Sequence, residues 1–116
     1  MTQAQARKEL QKLYDRIPSF RCIPGCTDCC GPVPFSRLEW QRVDDKRPGN
    51  EMLTCPYAQD GHCEIYDKRP FICRLMGTTK DPKLKCPHGC GPDNPLTPSQ
   101  AAKLTLRYHR LILAGF

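Results

Sequence analysis

The sequence predicts a small, loop-rich, mainly α fold in which two terminal helices, a short helix and a hairpin surround a cysteine-ligated metal centre. Three observations carry that expectation. Nine of the 116 residues are cysteine, and four of the nine fall between Cys22 and Cys30. Twelve prolines, eight glycines and a mean hydropathy of −0.59 describe a modest core, of the kind that takes support from metal or disulfide cross-links. Apolar residues recur at helical period most clearly near the two ends of the chain. The length suits a single domain over 1–116.

Each element has a local reason. Ala6, Leu10, Leu13, Tyr14 and Ile17 form one apolar stripe at helical spacing, and Pro18 stops it. Residues 20–34 carry the first cysteines among Pro24, Gly25, Gly31, Pro32 and Pro34 and read as an irregular loop. Ser36-Arg37-Leu38-Glu39 is a capping-box pattern that opens a short helix through Val43, with Trp40 as its anchor. Residues 44–54 form an exposed connector. Asp60-Gly61 then lies between Cys55–Ala58 and His62–Tyr66, a tight-turn signal for a hairpin that draws Cys55 and Cys63 together. Residues 67–95 are dense in proline and glycine and read as loop, with one helical turn around Cys73. Thr97 as cap, Pro98 at the first helical position and Gln100 open the last helix, over 97–115. Its stripe is Ala101, Leu104, Tyr108, Leu111 and Ile112, and Gly115 ends it.

Thiols at this density are kept for sulfur chemistry. Disulfides are the weakest explanation. The opening Met1–Leu10 is polar and offers no apolar stretch for a secretory signal, and no window has the length of a membrane span. The expectation is a cytoplasmic chain without membrane attachment, where cysteine spacing reads as metal or redox chemistry. The cysteine count is odd. Cys29 and Cys30 are poor partners for each other, since adjacent Cα atoms lie about 3.8 Å apart against roughly 4.4–6.8 Å in a disulfide.

Thiolates are soft, anionic and carried on a short stem, which suits zinc and the irons of an iron–sulfur cluster alike. Cys22, Cys26 and Cys29 can wrap one centre. Cys30 points away from Cys29 in an extended backbone and serves a second centre or bridges two. Zinc commonly uses two short knuckles, and Cys26-x-x-Cys29 with Cys86-Pro-His-Gly-Cys90 would supply them. One rich loop with scattered partners at Cys55, Cys63 and Cys73 is closer to iron–sulfur ligation. The pattern favours an iron–sulfur cluster, of the 4Fe–4S kind, and leaves zinc open.

The spacing Cys22-x₃-Cys26-x₂-Cys29-Cys30, followed by Cys55, Cys63-Glu-Ile-Tyr-Asp-Lys-Arg-Pro-Phe-Ile-Cys73-Arg74 and Cys86, resembles the YkgJ-like cysteine-cluster family, described as a zinc- or iron-chelating domain. The resemblance spans residues 20–92 and is most specific in the run Cys63–Arg74. It implies metal binding without naming a reaction. Its eight-cysteine ligand set falls on Cys22, Cys26, Cys29, Cys30, Cys55, Cys63, Cys73 and Cys86. The first gap here is three residues rather than the commoner two, and Cys90 is additional.

Arg69 and Arg74 flank Cys73 and would offset the negative charge of clustered thiolates from beyond the ligands. Each is weighed equally against a plain surface arginine. His62 and His88 adjoin cysteines and read as turn or outer residues, and His109 as solvent-facing. Tyr57, Tyr66 and Phe71 would shield the centre from water.

No Ser/His/Asp set, paired carboxylates or phosphate loop stands out. The expectation is therefore a structural, assembly or electron-transfer component with a protein partner and no chemistry of its own. An alternative is a fragment related to radical S-adenosylmethionine enzymes, which share Cys-x₃-Cys-x₂-Cys, or to flagellin lysine N-methylase-like proteins. The barrel of the former needs about 200 residues or more. A further alternative is a zinc-stapled nucleic-acid or protein adaptor using the basic second half of a chain of net charge +6, although aromatic residues for base stacking are thin there.

Overall fold

The computed structural model describes residues 1–20, 34–44, 46–47, 55–59, 62–86 and 88–116. The fold is mostly helical. Helix α1 spans Gln3–Asp15 and begins with a box the apolar stripe does not reveal: Thr2 accepts from the Gln5 N–H while the Gln5 side chain accepts from the Thr2 N–H. Two donors that a helix start leaves open are thereby satisfied. Ala6, Leu10, Leu13 and Tyr14 are buried, and Ile17 packs at the edge of the core just beyond the helix.

Helix α2, Arg37–Gln41, has the expected reciprocal box between Ser36 and Glu39. It is shorter than expected. The Arg42 and Val43 N–H groups reach back three residues to the Glu39 and Trp40 carbonyls, both at 3.2 Å, which closes the helix before Val43. Trp40 is not its anchor. That side chain is half-buried and meets Phe35 edge-on at 5.1 Å, whereas Leu38 and Glu39 are buried.

The hairpin is a minimal antiparallel ladder of β1, Ala58–Gln59, and β2, His62–Cys63, in the register Ala58↔Cys63 and Gln59↔His62. The Asp60-Gly61 turn lies outside the described residues. After a 3₁₀ turn at Tyr66–Lys68, helix α3 covers Phe71–Leu75, the single turn expected around Cys73. A second 3₁₀ turn, Pro82–Leu84, follows. The segment entering the last helix is pinned by a parallel bridge between Thr79 and Leu96, with Lys80 N–H to Leu96 O at 2.9 Å and Leu96 N–H to Thr78 O at 2.7 Å.

Helix α4, Pro98–Leu113, carries the Thr97/Gln100 box and buries Ala101, Leu104, Tyr108 and Leu111. Ile112 departs from its expected place. It is 42% exposed, because one helical step beyond Leu111 turns it about 100° off the buried face. Gly115, at φ +96°, ends the helix in the left-handed region.

Helices α1 and α4 pack on one another, and Leu38 of α2 with Phe71 and Leu75 of α3 complete one apolar cluster. Phe71 stacks on Tyr108 at 4.5 Å, so it belongs to this core rather than to a shield over the cysteines.

At the centre lies Glu39, 1% exposed. One carboxylate oxygen accepts from the Ser36 N–H at 3.0 Å and from the Tyr108 hydroxyl. The other accepts from the Phe71 N–H at 2.6 Å and from the Tyr14 hydroxyl. An unpaired buried carboxylate would be strongly destabilising. With four donors it becomes the knot that joins α1, α2, α3 and α4.

Candidate metal centre

Cys22, Cys26, Cys29 and Cys30 lie outside the described residues. Cys55, Cys63, Cys73, Cys86 and Cys90 are described, and all are half-buried. The fold brings Cys55 to Cys63 and Cys86 to Cys90.

The first pair sits at the ladder. The Cys55 carbonyl accepts from the Ala58 N–H at 3.1 Å, forming the turn that feeds β1, and Cys63 ends β2 opposite Ala58. Burial pushes the Cys63 thiol above its ordinary range, and the charge of Cys55 adds to the effect, while a backbone hydrogen bond at Ile65 and the Arg69 guanidinium act in the opposite direction. The pair is therefore within electrostatic reach, as the turn signal implied. Arg47 clamps the outside. Its backbone N–H donates to the Tyr57 hydroxyl at 2.7 Å, and its guanidinium donates to the Pro56 carbonyl at 3.0 Å and meets Glu64 at 2.5 Å. Tyr57 is buried beneath.

The two candidate outer-shell arginines part company. Arg69 donates to the Tyr66 carbonyl at 2.9 Å and lies 3.9 Å from the Tyr66 ring centroid, which holds its charge near Cys63. Arg74 turns toward the core. It donates to the Arg69 carbonyl at 2.8 Å and the Asp67 carbonyl at 2.9 Å and covers the Tyr14 ring at 4.0 Å. Burial lowers its basicity. Arg74 thus braces the segment before Cys73 against α1. Tyr66 is 52% exposed and supports Arg69 rather than covering a centre.

The second pair is Cys86 and Cys90. The Gly89 N–H donates to the Cys86 carbonyl at 3.1 Å, and Gly89 takes φ +75°, a left-handed step that suits glycine. This turn aims the backbone N–H groups of His88, Gly89 and Cys90 at the Cys86 sulfur, which also hydrogen-bonds the Cys90 side chain. The amide hydrogen bonds, that from His88 foremost, hold the Cys86 thiol below its ordinary range. His88 is exposed on the outside of the turn. The family-derived ligand set omits Cys90, yet the fold sets it beside Cys86. The signal in the sequence was the C-x₃-C spacing around Pro-His-Gly, readable as a knuckle.

A close crossing ties these segments together. A Cβ built on Gly77, four residues after Cys73, would fall 2.6 Å from Phe20 Cζ. One built on Gly91, the residue after Cys90, would fall 3.0 Å from the Gly77 carbonyl oxygen. Phe20 immediately precedes the stretch that contains Cys22. Phe20 is therefore placed where the segments leaving Cys73 and Cys90 meet.

Among the described residues no group of three or more His, Cys, Asp or Glu side chains is placed to hold a metal ion. A pair of thiols supplies half the donors of a four-coordinate site. No helix among the described residues is long and apolar enough to cross a membrane. The chain matches no family model, no curated protein and no solved structure.

Proposed function

We propose that this chain is a small metal-binding protein that holds an iron–sulfur cluster or zinc through its cysteines, acting as a structural, assembly or electron-transfer component. The observation that carries the reading is the Cys86–Cys90 turn. Amide hydrogen bonds directed at a sulfur favour its thiolate form, the form that ligates metal, and a second thiol stands beside it. Donors of this kind are also what tunes a bound thiolate centre.

The crossing of Phe20, Gly77 and Gly91 supports a ligand set drawn from Cys22, Cys26, Cys29 and Cys30 together with the described cysteines. Arg69 beside Cys63 would offset part of the thiolate charge. A bound cluster supplies one-electron transfer, whereas zinc supplies a redox-inert cross-link. The spacing resemblance to the YkgJ-like family agrees with either. Cys90 beside Cys86 supports the second knuckle of a zinc pattern as well.

The test is anaerobic purification followed by metal and acid-labile sulfide analysis and EPR of the reduced protein. Iron with matching sulfide is the expected result, and zinc without sulfide sustains the metal reading in its second form. Folded protein that carries neither metal and takes up neither under reducing conditions would end it.

A further inference from the structure

We infer that the groove between α3, the Pro82–Leu84 turn and α4 is a docking site for an acidic segment of a partner protein, one that seats bulky apolar side chains in the groove. The groove is open and holds about 450 Å³, and Ile72, Leu75, Leu84, Pro98, Ala102 and Leu106 give it an aliphatic lining. Helix α4 buries one face in the core but carries a second stripe, Ala102, Leu106, His109 and Leu113, at four-, three- and four-residue steps. The first three line the groove. Leu106 is 53% exposed and Leu113, further along the stripe, 87% exposed. The second stripe of α4 thus leaves aliphatic side chains uncovered beside a concave surface.

The surrounding charge identifies the occupant. From Pro82 to Phe116 the charged side chains are Lys83, Lys85, Lys103, Arg107 and Arg110 against Asp93 alone. All five basic residues are exposed, and none is in a salt bridge among the described residues. Lys103, Arg107 and Arg110 run alongside the apolar stripe, and Lys83 lines the groove itself. Asp81, the acidic residue of the lining, accepts from the Lys83 N–H at 3.0 Å and is committed to its own turn. A basic rim around an aliphatic floor is complementary to Asp and Glu flanking Leu, Ile, Phe or Met. Nucleic acid fits less well, because no Phe, Tyr or Trp lines the groove to stack on bases. A flat anionic membrane would leave the concavity unfilled.

The inference concerns a surface whose lining contains no cysteine and stands whether or not the protein holds metal. It is tested by selecting a randomised phage-displayed peptide library on the full chain. Enriched peptides should combine bulky apolar residues with an excess of Asp and Glu. Their synthetic forms should bind more weakly as salt rises and lose about tenfold or more in affinity to Leu106→Glu and to Lys103→Glu/Arg107→Glu. These substitutions are on exposed positions, so unchanged circular dichroism and thermal midpoint show that the fold survives. A library that enriches nothing, or enriches peptides without acidic excess, overturns the proposal. Retention of the peptides by Leu106→Glu does so as well. Binding to phosphatidylserine vesicles or single-stranded oligonucleotides that Leu106→Glu abolishes, with no peptide enriched, reassigns the surface.

Discussion

The Phe20 ring lies against the bare α-carbon of Gly77, with its Cζ 2.6 Å from where a Cβ would stand. Gly77 takes φ +82° and donates its N–H to the Leu84 carbonyl at 2.6 Å. The position is thus constrained by conformation, by a hydrogen bond and by an aromatic neighbour, and it joins Phe20 to the exit of α3.

Gly77→Ala should therefore cost roughly 2–5 kcal/mol, the left-handed penalty of about 1–2 kcal/mol plus overpacking against Phe20 of about 1–3 kcal/mol. Gly115→Ala is the matched control. It has a similar positive φ of +96° but no atom within 4 Å of the added methyl, so it should lose only the conformational share. Urea denaturation of both variants checks the difference, and metal content should fall in Gly77→Ala alone.

Glu39→Ala should be the most destabilising single substitution in the helical core, by about 3–5 kcal/mol. Removing the carboxylate leaves the Tyr14 and Tyr108 hydroxyls and the Phe71 N–H without their acceptor in a dry site. Glu39→Gln should lie in between, because one carboxylate oxygen is replaced by a donor that faces donors. A chemical denaturation series over the three proteins decides this. Equal stability of all three would refute the knot.

The same site sets the alkaline limit of the fold. Burial first, and then the charge and hydrogen bond of Glu39, raise the Tyr14 phenol above its ordinary 10.0. Burial and the Glu39 hydrogen bond do the same for Tyr108. A group whose native pKa is raised stabilises fully below its unfolded pKa and loses that contribution as pH climbs beyond it. Stability should hold up to about pH 10 and then fall, as the unfolded state releases protons that the native state keeps. Of the four tyrosines, Tyr14 and Tyr108 should develop tyrosinate absorbance only as the protein unfolds, and Tyr14→Phe should reduce the slope.

Much of this architecture is legible in the sequence because it is local. Thr97-Pro98-Ser99-Gln100 states the start of α4 in consecutive residues, and the stripe Ala6–Leu10–Leu13–Tyr14 needs only a helical period. Ser36 and Glu39 announce a capping box, and they form one. What spacing does not contain is that Glu39 also meets Tyr14, Phe71 and Tyr108, up to 69 residues away. Trp40 was expected as the anchor by its size, yet Leu38 has the inward position on so short a helix. The thiol pairs were half legible. Asp60-Gly61 foretold Cys55 with Cys63, while Cys90 depends on a left-handed glycine at 89 that turns the chain back toward Cys86.

Reactivity should separate the described thiols. In metal-free, reduced protein near neutral pH, Cys86 should alkylate fastest, because its neighbouring amides favour the thiolate, and Cys63 slowest, because burial disfavours it. Peptide mapping after a short iodoacetamide pulse gives the order. In the metal-loaded protein, Cys90→Ser should lower metal content as much as Cys86→Ser. A Cys90 variant with full metal would leave Cys90 outside the ligand set, as the spacing resemblance implies.

The last expectation concerns how much of the fold depends on metal. Read from sequence alone, two terminal helices are too little to order the residues between them, and the centre would collapse on metal removal. The structure divides the chain differently. Leu38, Phe71 and Leu75 from the middle join the α1–α4 cluster, Arg74 ties the Cys73 segment to Tyr14, and the Thr79–Leu96 bridge fixes the approach to α4. None of these contacts needs a thiolate. The Cys55–Cys63 ladder has only two residues per strand, and the Cys86–Cys90 turn is held by a few local hydrogen bonds, so both fall below what sustains independent order. Chelation under reducing conditions should leave a cooperative thermal transition with a lowered midpoint. Hydrogen exchange should remain slow at Leu104 and Leu111 and quicken at 55–63 and 86–90. Loss of the cooperative transition on chelation would mean that metal organises the helical core as well. An unchanged midpoint would mean that the thiol pairs contribute nothing to stability, and an electron-transfer role for the centre would then outweigh a structural one.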